Sequence, residues 1–323
     1  MIIVIMVTFH NLLIVDSVCS LHNCIHVYTD LGLASIKFYV DDAFDCRHTQ
    51  SDVFDRLVRP LVGDFFAGFH CVIFSYGQTG SGLPNMSTEQ IARAITQVFF
   101  LLGKTHTLIG GSSTEIAVPE SEKGILPRAA ELIFQRKKAL LERNESGGTS
   151  CTVRLSVLEI YQERLKDLLL LGGGGQKQAD APLLRLREQS DGAVWVEGLT
   201  EVVLAEEQDF NRWVTAAMKK RVVGAHNMNS VSSRSHLCIV VSLSILQREG
   251  ATAEGAGTAA DRAGEKRISS KLHLVDLAGS EMVRSIYCDA VYDLISTYDD
   301  FCCELKNKFI DVYDCFENRI FST

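Results

Sequence analysis

The sequence predicts an α/β fold, with a central, mostly parallel sheet and helices on both of its faces. Three observations carry this. Residues 71–76, CVIFSY, are a short apolar run that enters a glycine-rich turn, as a buried strand does. Residues 271–279, KLHLVDLAG, repeat the pattern and set a carboxylate, Asp276, near the strand's end. Residues 151–161, CTVRLSVLEIY, and 236–246, HLCIVVSLSIL, supply two further strands.

The elements follow in order. The first residues, MIIVIMVTFHNLLIV, are apolar but lack a basic n-region and a small-residue cleavage site, and they are too short to span a bilayer. They are read as a strand or a mis-assigned start. After the strand at 151–161, QERLKDLLLL turns helical or ends in a loop, and GGGG at 172–175 is a flexible break. Residues 248–267 are polar and of low complexity, a solvent loop, and the strands on either side of it could pair as a hairpin. His236 and His273 are read as structural, Trp195 and Trp213 as packing residues, and the basic runs at 136–138 and 219–221 as solvated helix ends.

Composition narrows the function. The chain has 323 residues, 46% apolar, enough for a globular core. Its net charge of −8 is uneven: residues 104–281 carry 23 basic and 23 acidic side chains, while 1–103 carry 5 and 9 and 282–323 carry 4 and 8. No strong basic field advertises nucleic acid, and no membrane partner is expected. The ten cysteines form no Cys-x-x-Cys pair and do not cluster with His at zinc spacing; they are read as free thiols in a reducing compartment.

The glycine turn is FSYGQTGSGLPNM. Gly77 and Gly82 have the spacing of a phosphate-binding loop, Gly-x-x-x-x-Gly-Lys-Ser/Thr, but Leu83 and Pro84 stand where Lys and a hydroxyl belong. The missing pair appears later, in GKTHT. Without residues 83–103 the chain reads Gly77-Gln78-Thr79-Gly80-Ser81-Gly82-Lys104-Thr105-His106, a complete loop. Two readings of the insert compete. Ser87 and Gln90 make a capping box, and Ile91, Ile95, Val98 and Leu102 fall at helical spacing. Alternatively the segment is a translated intron: FFLL before Gly103 can be encoded by a pyrimidine tract, and the duplicated glycine suits a Gly codon split by the splice. The second is favoured, because a 20-residue helix is about 30 Å long and would carry the lysine away unless it returned closely.

Three motifs, taken together, resemble the phosphate loop, switch I and switch II of the kinesin motor domain: IFSYGQTGSG with KTHT, NSVSSRSH at 229–236 and LVDLAGSE at 274–281. The stretches at 38–54, 124–134, 157–169 and 184–204 are similar to the family's intervening segments and occur in its order. The resemblance implies a P-loop NTPase fold of kinesin motor type, truncated: residues 1–35 unassigned, 36–281 a partial motor domain with 83–103 inserted in its P-loop, and 282–323 unassigned. It implies a cytoplasmic, cytoskeletal motor that binds ATP and Mg²⁺, hydrolyses ATP and moves on microtubules. The alternative is a non-catalytic fragment or a helical interaction protein.

Roles carried over by the resemblance fall on matching positions. Gly77 to Gly82 would cradle phosphates, Lys104 would neutralise charge on the transferred phosphoryl group and His106 would lie near the nucleoside. Thr105 would hold Mg²⁺, with Ser233 as its switch I partner and Asp276 reaching the metal's water shell. Gly279 would offer its N–H to the γ-phosphate. Arg234 and Glu281 would pair and organise the attacking water, and Asn229 and Ser232 would add polar contacts.

The pattern also breaks. No Arg-x-Arg-Pro precedes Phe38, His70 stands where Asn is usual and His226 where Thr is usual. Residues 282–323 match none of the family's elements after switch II. Tyr287, Val291, Leu294, Tyr298, Phe301 and Leu305 step as on an amphipathic helix, while the Tyr-, Phe- and Cys-rich content equally suits translated T-rich sequence. The expectation is a chain whose nucleotide and microtubule binding are impaired.

Overall fold

The computed structural model describes residues 2–6, 13–19, 24–29, 35–39, 42, 44, 48–76, 103–111, 119–143, 148–162, 164–170, 184–188, 194–226, 234–248 and 265–279. Its strands are β1 (Ile2–Met6), β2 (Leu13–Cys19), β3 (Cys24–Thr29), β4 (Ser35–Tyr39), β5 (Cys71–Tyr76), β6 (Thr149–Tyr161), β7 (Arg164–Asp167), β8 (Arg185–Glu188), β9 (Val194–Glu197), β10 (Val202–Leu204), β11 (His236–Arg248) and β12 (Glu265–Asp276). Its helices are α1 (Gln50–Val53), α2 (Arg59–Ala67), α3 (Gly103–Leu108), α4 (Ile125–Glu142) and α5 (Glu207–His226), with a π turn, Phe54–Val58, joining α1 to α2.

The main sheet runs β1-β5-β12-β11-β6-β10, with β7 paired to β6. Only β1, β5 and β12 pair in parallel; the β12–β11, β11–β6, β6–β10 and β6–β7 ladders are antiparallel. The sheet is therefore mixed, not mostly parallel. The reason is the hairpin expected around the polar loop: β11 and β12 turn back on each other over twelve residue pairs, from Leu237↔Asp276 to Arg248↔Glu265. Pairing thus extends at both ends into the stretch read as solvent loop. Residues 164–167 are likewise not helical but strand. Gln162, at φ 49°, makes the tight reversal that folds β7 onto β6.

Alternation along β5 explains why both sheet faces are apolar. Cys71 and Ile73 point to one face, Val72, Phe74 and Tyr76 to the other. The first face takes the helices. α4 buries Ile125, Leu126, Ala129, Ala130 and Ile133, and α5 buries Phe210, Val214, Ala217 and Met218, both at helical spacing. The run into α2 buries Phe54, Val58, Leu61, Val62 and Phe65. It starts at a capping box, where Thr49 and Asp52 exchange hydrogen bonds, and stops at Gly68 in the left-handed region. On the second face, among the described residues, the cover comes from Val196, Leu184, Leu186 and Leu199, in and beside the β8–β9 hairpin. Described helices on both faces, as the sequence suggested, are not found; their apolar stripes all join the first cluster.

Cys71, Cys151 and Cys238 form no disulfide and are buried, in keeping with the thiol reading, and burial pushes the Cys71 thiol up to about 11. Among the described residues no helix is long and apolar enough to cross a membrane.

Candidate nucleotide site

β5 and β12 run parallel and in register, Ser75 beside Asp276, so both end at the same edge of the sheet. Asp276 is 2% exposed. A carboxylate so deep needs partners, and it has three. The Ser75 hydroxyl donates to its Oδ1 at 3.1 Å, the Thr105 hydroxyl donates to its Oδ2 at 2.8 Å, and the Arg221 guanidinium reaches Oδ2 at 3.4 Å. Thr105 arrives on α3, which packs on β5 and β12. Lys104, beside it, is 8% exposed. The insert therefore does not carry Thr105 away: the chain has returned to the end of β5, the one arrangement the sequence reading allowed for an intact site.

Behind Asp276 the polar network continues. Arg221 also donates to the Ser235 carbonyl at 3.1 Å and lies 3.5 Å from Glu159, which accepts the Ser235 hydroxyl at 2.7 Å. Lys166 approaches Glu159 from the rim at 3.7 Å. Two buried acids thus face one buried guanidinium and one flanking ammonium, so the cluster is close to balanced. Breaking such a network by removing one member is costly, because a charge is left buried.

The sequence reading missed Arg221, Glu159, Ser235 and Ser75. The run at 219–221 is not a solvated helix end: Arg221 is 7% exposed, and Lys220 donates to the carbonyls of Leu168 and Leu170. A signal was available. Phe210, Val214, Ala217 and Met218 define the buried stripe of α5, and Arg221 is its next position. Val153, Leu155 and Val157 define the inner face of β6, and Glu159 is its next position. A charge at the end of an apolar stripe is buried unless the element stops first.

Other expected residues fall as follows. His106 has two side-chain neighbours: Gln50 Nε2 lies 2.9 Å from its Nδ1 and donates to its carbonyl, and Glu122 is 3.4 Å from its Nε2. Arg234 is exposed, and Gly279 is buried just past β12. Gly77, Gln78, Thr79, Gly80, Ser81, Gly82, Asn229, Ser232, Ser233 and Glu281 lie outside the described residues. His236 and His273 are buried, as a structural reading requires. Trp213 packs on the first core cluster, whereas Trp195 is 40% exposed and is not a packing residue.

A family model described as the kinesin motor domain matches residues 19–88 and 102–291. The chain belongs to the kinesin motor domain family. The two matched stretches leave out residues 89–101, within the insert. The kinesin heavy chain of Neurospora crassa is 32% identical over 247 residues, which are 76% of this chain and 21% of that protein. Kinesin-related protein 7 of Dictyostelium discoideum is 28% identical over 264 residues, 80% of this chain and 17% of that one. A solved fast kinesin, whose structure was described for its ATPase mechanism and its interactions with microtubules, superposes with a TM-score of 0.58 at 30% identity. That match covers 80% of this chain and 58% of the fast kinesin. This kinesin chain thus spans about a fifth of the length of those two relatives.

Proposed function

We propose that the chain binds ATP with Mg²⁺ and hydrolyses it, and that hydrolysis drives movement on microtubules in the cytoplasm. The observation that carries this reading is the contact of Thr105 with Asp276 at the shared end of β5 and β12. A hydroxyl and a carboxylate there are hard oxygen donors, which suit Mg²⁺; it keeps several waters and one or two carboxylates. Thr105 and Ser233 would hold the ion directly and Asp276 through water. Bound Mg²⁺ supplies positive charge that offsets charge developing on the transferred phosphoryl group.

The remaining steps belong to side chains of this chain. The Thr105 hydroxyl donates to Asp276, which holds its rotamer, and its oxygen would remain available as a ligand to Mg²⁺. Lys104 extends toward the β- and γ-phosphates, and the backbone N–H groups of Gly77 to Gly82 orient them. The Gly279 N–H meets the γ-phosphate. Arg234 and Glu281 hold the attacking water in line, with Asn229 and Ser232 beside it.

Isothermal titration of the full chain with ATP in Mg²⁺ tests this. Thr105→Ala and Asp276→Asn should each bind about ten- to a hundredfold more weakly, the worth of a lost charge-assisted contact of about 1.5–3 kcal/mol. A folded wild-type chain that takes up no nucleotide would establish the non-catalytic alternative.

A further inference from the structure

Ser235 and His236 are neighbours at the start of β11, so their side chains leave the sheet on opposite faces. Ser235 turns to Glu159 and Arg221. His236 turns to the face lined by Cys238, Val275 and Leu277; it is 1% exposed, and its Nδ1 accepts the Ala278 N–H at 3.1 Å. This bond lies just beyond the ladder. The last registered pair of β11 and β12 is Leu237↔Asp276. Past it, consecutive backbone N–H groups go to two different strands: Leu277 donates to the Ser75 carbonyl on β5 at 3.2 Å, and Ala278 donates to His236 on β11. The peptide that leads into Gly279 is held from both sides.

We propose that His236 is a positioning residue that sets the backbone of Leu277–Gly279, so that the strand following the 229–235 segment dictates where the Gly279 N–H points. Its part in nucleotide binding rests on the function proposed above; the tie itself does not. The chemistry is specific. An acceptor at Nδ1 requires a neutral ring with its proton on Nε2. An Asn side chain can place Oδ1 close to the same point, whereas Leu fills the space and accepts nothing. A histidine that merely packs would be replaced better by Leu than by Asn, so the two roles predict opposite orders.

Hydrogen exchange of the full chain without nucleotide separates them, read as the rate at the Ala278 amide divided by that at the Leu274 amide, which cancels a uniform loss of stability. His236→Leu should raise the ratio about tenfold and His236→Asn should keep it within about threefold of wild type, since a lost buried hydrogen bond opens the segment locally. Where His236→Leu does not fold, His236→Ala serves the same comparison. An unchanged ratio in the Leu or Ala variant, or a larger rise with Asn, overturns the proposal. In a parallel titration with ATP and Mg²⁺, the Leu variant should bind several-fold more weakly and the Asn variant like wild type. A chain that binds no nucleotide would sink the functional reading while the exchange ratio still decides the tie.

Discussion

Thr105 and Asp276 stand 171 positions apart, yet the hydroxyl of one donates to the carboxylate of the other at 2.8 Å. The insert before Gly103 does not prevent the contact, since α3 docks on β5 and β12. Joining Gly82 to Lys104 would shorten the link between β5 and α3 from the 26 residues 77–102 to six. Closure entropy grows as the logarithm of loop length, so the excision should stabilise the fold by about 1 kcal/mol. Thermal unfolding of the chain without residues 83–103 should show a higher Tm. A lower Tm would mean that the segment packs as part of the fold.

The end of α3 is tied down by a conformation only glycine adopts easily. Gly110 has φ +112°, and its backbone bridges Lys123 while Gly111 N–H donates to the Glu122 carbonyl at 3.0 Å. A Cβ at Gly110 would sit 2.4 Å from the Glu122 carbonyl oxygen and 2.8 Å from the Gly124 nitrogen, both backbone atoms that cannot swing aside. Gly110→Ala should therefore lose about 2–3 kcal/mol, from strain at positive φ plus the clash. Urea unfolding measures it; a loss under about 0.5 kcal/mol would show that the 119–124 turn moves freely away from α3.

Stability should fall as pH drops, with His273 as a main cause. Burial first, then the charges of Lys271 and His70, push its pKa down to about 3. In the unfolded chain it titrates near 6.5, so above that pH neither state carries the proton and the residue is neutral to stability. Between about 6.5 and 3 the unfolded chain takes up a proton that the folded one refuses. Folding then loses about 1.4 kcal/mol per pH unit, or about 2 kcal/mol from pH 6.5 to 5. His70, whose Nδ1 accepts from Lys271 N–H at 3.0 Å, shifts in the same direction through burial and adds to the slope. Unfolding curves for wild type and His273→Leu at pH 7, 6 and 5 should diverge, with the variant flatter. Equal slopes would assign the acid sensitivity elsewhere.

What was legible in the sequence follows from how local each signal is. The strand at 71–76 was readable because an unbroken apolar run before a turn has few other fates, and the strand at 151–161 because its apolar residues alternate. The reversal at Gln162 was not, since LKDLLLL has helical composition and one residue at φ 49° decides otherwise. The direction of pairing was hidden as well: a buried strand flanked on both faces looks alike in parallel and antiparallel neighbours. At the site, Thr105 and Asp276 were found through motif order. Arg221 was passed over because it was read with Lys219 and Lys220 rather than with the apolar stripe it continues, and Glu159 because it was read only as part of its strand and not against the Val153, Leu155 and Val157 stripe.

Attachment to microtubules should respond to both salt and nucleotide. The chain carries a net charge of −8, so binding to an acidic filament must come from local basic groups and be screened by salt. The β8–β9 hairpin, in the stretch 184–204 that resembles the family's, presents Arg185 and Arg187 with Trp195 between Val194 and Val196. Arg187 is shared with Glu197 at 2.8 Å, which leaves Arg185 as the stronger candidate contact. Arg185→Glu should therefore reduce pelleting with taxane-stabilised microtubules several-fold at low salt. Nucleotide control asks for more than contact: a ligand shifts an equilibrium only through an element that both sites bias. On the proposed function that element begins at Asp276 to Gly279, held by Ser75 and His236, so a non-hydrolysable ATP analogue should tighten pelleting in wild type. Asp276→Asn should abolish this tightening without lowering pelleting in the absence of nucleotide. Pelleting that resists salt and ignores nucleotide would place the chain with the non-catalytic alternative, a motor fold that touches the filament without being governed by ATP.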